Sequence, residues 1–332
     1  MASWNVSPEA AALHENSLVW DNHICLPHET DDKWMLALSR HRQAGANMVV
    51  LSIAGSDMES LETTIKMATF YRDWVRQNAD THILALSPED ILMAKSQNKL
   101  AVAFNVEAPK AVGENLSLVQ LYHELGVRWM IMAYNMNNQI GGGCHDEDPG
   151  LTKFGFKFIE EMDRAGIVKC CSHTGYRTAM DVMTHTDKPV IFSHSNARAL
   201  RDHPRNIPDE LIAACAKTGG TVGINGVGIF LGDNDITTTT FVNHIDHIVQ
   251  KVGADHVAIG TDYVYDEEEF DASMAAMDNI WPANFGYEPG IKFLPPEQLP
   301  QITEELLRRN YKEVDIKKIL GENLLRVATQ TW

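Results

Sequence analysis

Residues 100–107 read LAVAFNVE, a run that is apolar but for Asn105 and that stops on the carboxylate of Glu107. A segment this short and this apolar fits a strand covered on both faces, as in a parallel sheet, better than the alternating pattern of a half-solvated strand. Runs of the same kind recur on either side of it. Leu18 to His23, Asn47 to Ile53 and Val127 to Ala133 flank it, and Ile167 to Ser172, Pro189 to Ser193, Thr221 to Asn225 and His256 to Thr261 follow. Between most of them lie segments with helical spacing: Met58 to Asn78, Leu116 to Leu125, Gly155 to Ala165, Tyr176 to Thr184, Asp209 to Lys217 and Phe241 to Val252. Strand followed by helix, repeated, implies a parallel sheet, and eight doubly buried strands close as a (β/α)8 TIM-type barrel.

The expected organisation is a single domain over residues 1–332, with the barrel over about 18–265 and a C-terminal helical cap over about 297–328. Asn310 should split two amphipathic helices in that cap, with a third after Gly321. The stretch from Asp266 to Pro296 reads as irregular, with acidic, aromatic and proline residues. With 45 acidic against 28 basic residues the chain carries a formal charge of -17. A phosphate backbone or an anionic membrane would be repelled, so neither nucleic acid nor membrane is an expected partner. The five cysteines are not spaced as CxxC pairs, which points to a reducing compartment. The first residues, MASWNVSPEAAALHENS, have neither a basic nor an apolar leader region, and the expected location is the cytoplasm.

In such a barrel the reactive groups gather where strands end, at the C-terminal rim. There the sequence places His23 and Cys25 after the first strand, Glu107 after the third, Tyr134 and Asn135 after the fourth, His173 and His194 after the fifth and sixth, and Asp262 after the eighth. A lone histidine in such a place is usually a hydrogen-bonded structural residue. Three with two carboxylates suit zinc or another divalent transition metal, and one shared carboxylate can bridge two ions. The chemistry natural to such a set is hydrolysis.

The segments DNHICLP, NVEAP, SHTGYRTAM, PVIFSHSNARALRDHPRNIPDE, HIDHIVQKVGADHVAIGTDY and ITEELLRRNYKEVDIKKILGENLLRV resemble the membrane (renal) dipeptidase family of zinc metallopeptidases. The resemblance runs from about Asp21 to the C-terminus and implies a (β/α)8 barrel, a two-zinc site and, as is common in the family, a homodimer. It makes His23 a ligand of the first metal, Glu107 the bridging carboxylate, and His173 and His194 ligands of the second. Asp262 would stand beside the first metal as orienter and proton shuttle. Arg205 would grip the free carboxylate of a dipeptide-like substrate, a task that suits a planar guanidinium.

Two positions depart from the family pattern. Cys25 stands where the family has an aspartate, so it is either a thiolate ligand with altered metal preference or a small apolar thiol, and one or two ions are bound accordingly. Tyr134 stands where the family has a histidine that binds the substrate carbonyl; a phenol can donate one hydrogen bond there, and Asn135 is a neighbouring candidate donor. The function implied is amide hydrolysis of a dipeptide or similar substrate by a metal-bound hydroxide. The alternatives are a non-peptide amidohydrolase or lactam hydrolase on the same site, or a catalytically impaired metal-binding protein. Cys25 as a nucleophile lacks a third orienting group. His244 and His247 are expected at the surface, and Cys170 and Cys171 in the core.

Overall fold

The computed structural model describes residues 4–55, 60–107 and 109–332, so Met58 and Glu59 of the anticipated helix, and Ala108 of the NVEAP motif, lie outside the described residues. The run at 100–106 forms a strand over its whole length, and every residue in it is buried. In chain order the strands are β1 (Trp20–Cys25), β2 (Met48–Ser52), β3 (His82–Leu84), β4 (Leu100–Val106), β5 (Val127–Ile131), β6 (Val168–Cys170), β7 (Val190–Ile191), β8 (Val222–Ile224), β9 (Val257–Ile259) and β10 (Tyr263–Val264). All eight anticipated strands are present. They form one parallel sheet in the order β7-β6-β5-β4-β2-β1-β9-β8. A parallel bridge from Phe192 to Val222 joins the two ends and closes the barrel.

The two unanticipated strands are short. β3 lies along the first half of β4, pairing with Leu100 to Val102, before β5 takes that side from Phe104 onward. β10 runs beside the end of β1, at Ile24 and Cys25. Neither is long enough to show a periodicity of its own.

The helices fall where their spacing places them. Leu61–Gln77 starts behind the Ser60 cap, whose hydroxyl accepts from the Thr63 amide, and Thr237 caps Thr238–Val252 in the same way. In the C-terminal region Leu299–Arg308 ends before Asn310, which is left-handed at φ 63°. The expected break at Gly321 is instead a π-helical turn, Lys318–Glu322, that joins Glu313–Lys317 to Asn323–Thr331. A side chain on Gly321 would press on the Leu18 carbonyl oxygen, so the wider turn accompanies close packing against the strand side of the barrel. The stretch after Asp266 is not wholly irregular: it holds a helix over Glu267–Ala276, capped by the Asp266 carboxylate.

The closing seam is tight. A Cβ on Gly223 or on Gly260 would fall inside van der Waals contact with the same Ser193 carbonyl oxygen, one residue before His194. Gly223→Ala should therefore destabilise the barrel by about 1–3 kcal/mol, the usual cost of overpacking. A lowered urea midpoint checks this; an unchanged midpoint would mean that the seam is loose.

Candidate active site

Five strand ends bring three imidazoles and two carboxylates to one point at the C-terminal rim. One oxygen of Glu107, Oε2, lies 3.2 Å from His23 Nε2. The other, Oε1, lies 3.4 Å from His194 Nε2 and 3.7 Å from His173 Nε2. His173 Nε2 and His194 Nε2 are 2.9 Å apart. Asp262 Oδ1 approaches His23 Nε2 to 3.3 Å, and Cys25 Sγ sits 3.5 Å from that nitrogen and 3.6 Å from Asp262 Oδ1. The donor atoms of His23, His194 and Asp262 lie within 4.8 Å of one another, as do those of Glu107, His173 and His194.

Each imidazole is held from behind so that its Nε2 faces inward. Asn135 Oδ1 accepts from His173 Nδ1 at 2.7 Å, and the Ser193 hydroxyl lies 2.7 Å from His194 Nδ1. The Asn105 amide nitrogen is 3.1 Å from His23 Nδ1, while its oxygen, buried, makes no hydrogen bond. Half a turn of that amide presents the oxygen to Nδ1 and leaves His23 Nε2 with a free lone pair. Asp262 is oriented by Asn225, whose amide donates to Oδ2 at 2.8 Å. Such outer partners fix ligand orientation in metal sites. Sequence reasoning missed Asn105, Ser193 and Asn225, although Asn105 stands two residues before Glu107 and so shares its side of the strand. Backbone strain marks the same places: Asn135, His173 and Asp262 have φ of 59°, 65° and 56°.

The charges follow from burial and neighbours. Burial, with the charges of Arg205 and His23, holds His173 well below the ordinary histidine range, and burial with the same two groups does so for His194. Burial opposes protonation of His23 too, but Glu107, Cys25 and Asp262 outweigh it and raise His23 well above that range. The donor set fits a divalent metal: His173 and His194 are held neutral with Nε2 turned inward, His23 faces the same point, and buried Glu107 Oε1 makes no hydrogen bond, so it lies open to a cation.

The site opens into a cavity of about 230 Å3. Glu107, His173, Arg205 and Asp262 line it, with Cys25 and Tyr134 among the same lining residues. Arg205 Nη2 lies 3.2 Å from His173 Nε2 and donates to the His194 carbonyl at 3.3 Å, while its buried Nε makes no hydrogen bond. Tyr134 stacks on His173 at 4.1 Å, and burial, then Glu107 and Asp262, keep its phenol well above its usual range and hence protonated.

Asn135 differs from its expected role as a substrate donor: it is fully buried, holds His173 with its oxygen and donates its amide to the Ile280 carbonyl at 3.2 Å. His244 is not at the surface but buried, accepting from the Ala197 amide and bonding the Leu231 carbonyl. His247 pairs with Asp209 at 2.7 Å, and both histidines stand away from the rim cluster. Cys170 and Cys171 are in the core, as expected.

The family model for membrane dipeptidase (peptidase family M19) matches residues 9–273 and 285–331. Among curated relatives, an uncharacterized dipeptidase of Schizosaccharomyces pombe is 29% identical over 84% of this chain and 63% of its own length. A dipeptidase of Clonostachys rogersoniana is 25% identical over 83% of this chain and 66% of its own. The chain thus spans just under two thirds of the length of these relatives. A crystal structure of an amidohydrolase from Pseudomonas aeruginosa superposes with a TM-score of 0.88 at 29% identity, covering 97% of this chain and 99% of that one.

Burial, partly offset by His23, pushes the Cys25 thiol up to about 11. In metal-free protein at pH 7 roughly one thiol in 10^4 is then ionised, and the thiolate is the reactive form. Iodoacetamide, followed by mass spectrometry of the Cys25 peptide, should label it far more slowly than a free cysteine and faster as pH rises toward 11. Rapid labelling at pH 7 would contradict this setting.

Proposed function

The chain belongs to the membrane dipeptidase family, and on that premise we propose that it is a zinc-dependent hydrolase cleaving the amide bond of a dipeptide or similar small substrate with a free carboxylate. The observation that carries this reading is Glu107, with one oxygen toward His23 and the other toward His173 and His194, beside Arg205 in one cavity. His23, Asp262 and Glu107 would hold one ion, with Cys25 as a further ligand, and Glu107, His173 and His194 the other. The chemistry such ions would supply when bound is activation of water near neutral pH and Lewis-acid polarisation of an amide carbonyl.

The protein's own groups supply the rest. Arg205 anchors the substrate carboxylate beside the histidines by charge-assisted hydrogen bonds. Tyr134, kept protonated, donates a hydrogen bond to the oxygen that gains charge during attack. Asp262, one oxygen held by Asn225, takes at Oδ1 the proton that the attacking water loses and passes it to the amide nitrogen, which leaves as the amine when the C–N bond breaks. Asn135 positions His173. The five free cysteines support a reducing, cytoplasmic setting, and a homodimer is the assembly proposed. No helix among the described residues is long and apolar enough to cross a membrane.

A second reading, a non-peptide amidohydrolase or lactam hydrolase, is favoured by Cys25 and Tyr134, which change the donors that meet the substrate. Zinc-loaded protein assayed against L,L and L,D dipeptides, N-acyl amino acids and β-lactams separates the two. Turnover of dipeptides is expected, and turnover confined to the other amides would favour the second reading. Arg205→Ala should raise KM about tenfold to a hundredfold, the scale of a lost charged hydrogen bond, with a smaller effect on kcat. Asp262→Asn should lower kcat about 10^2–10^4-fold. Unchanged kinetics in either variant would remove that residue from the mechanism.

A further inference from the structure

Part of the cavity lining, separated from the metal-ligand cluster by Tyr134, is built by residues that the proposed chemistry does not use. Between the two stretches that match the family model lie residues 274–284, and from them Met277 and Trp281 line the cavity. An aromatic series joins this roof to the site: Tyr134 meets Trp281 edge-on at 6.1 Å, Trp281 meets Phe270 at 5.9 Å, and Phe270 meets Phe293 at 5.3 Å. The roof is tethered to the floor. The Ile280 carbonyl accepts from Asn135 at 3.2 Å and lies 3.2 Å from His145 Nδ1, while the Phe285 carbonyl is bonded by His203 Nε2 at 2.8 Å. Trp281, 7% exposed, is therefore set in place before a substrate arrives, so little ordering cost falls on binding.

We infer that Met277 and Trp281 are specificity-determining residues, selecting substrates whose non-reacting side chain is large and apolar. This rests on the dipeptidase-like reading of the same site. On that reading Arg205 and the ligand cluster take the carboxylate and the scissile amide, and a side chain that projects from them meets Met277, Trp281 and Phe293, which line the same cavity. A glycine leaves that apolar surface uncovered. An acidic side chain brings a charge against it, which costs desolvation without a compensating partner.

The test is kcat/KM of the zinc-loaded protein on two dipeptide series, one varying each residue among Gly, Leu, Phe and Glu. In one series the Leu or Phe substrate should exceed the Gly substrate by about tenfold or more, the scale of discrimination in an apolar pocket, and Glu should be poorest. Trp281→Ala and Met277→Ala should each shrink that ratio several-fold. Met277 is only partly buried, so its variant carries the test if Trp281→Ala does not fold. Flat series in the wild type, or an unchanged ratio in the folded variants, would overturn the inference while leaving the hydrolase intact. Hydrolysis of no member would remove the dipeptidase reading and this inference with it, a result distinct from a flat series.

Discussion

Glu107 is a carboxylate 3% exposed at the centre of a barrel rim, faced on one oxygen by His23 and on the other by His173 and His194. An ionised carboxylate taken out of water costs several kcal/mol unless positive charge and hydrogen bonds compensate it. Two of the three facing imidazoles are held in the neutral form by their surroundings. Among the three only His23, raised against its burial by Glu107 itself, offers that carboxylate a positive charge; a divalent cation shared by Glu107 and these nitrogens would supply the rest, and most other features of the rim keep that donor set in register. Asn135, Ser193 and Asn105 lie behind the rings, Asn225 behind Asp262, and three residues accept a left-handed backbone to reach their places.

The barrel makes this arrangement attainable because each donor leaves from its own strand. β1, β4, β6, β7 and β9 contribute His23, Glu107, His173, His194 and Asp262, so no local segment carries the site. The closing seam at β7 and β8 sits one residue from His194, and its glycines let the backbones approach closely. The covering segment after Asp266 then adds Phe270, Met277 and Trp281 to a cavity whose candidate metal ligands come from the strand ends. Asn135 ties that segment to the rim, holding a histidine and a roof carbonyl with the two halves of one amide.

Much of this was legible in the residues. The eight apolar runs carried the barrel, because a strand buried on both faces needs unbroken apolar sequence, and the groups that follow those runs are the ones that converge. The short strands β3 and β10 were not legible: they owe their pairing to longer neighbours. Nor was the burial of His244, whose ring is drawn inward by the Ala197 amide and the Leu231 carbonyl, partners far away in sequence. Asn135 has the look of a substrate donor in sequence because its position at a strand end is visible, whereas the direction of its amide depends on Ile280. The roof was opaque because its order comes from contacts with the barrel and not from its own periodicity.

The central claim is that Glu107 holds a divalent metal together with the surrounding imidazoles. Elemental analysis of the purified protein, as ions per chain after zinc has been supplied and excess removed, tests it most directly, with Glu107→Ala of matched fold beside it. The account predicts one or two ions per wild-type chain and a clear loss in the variant. No bound metal in the wild type, or equal content in both proteins, would contradict it.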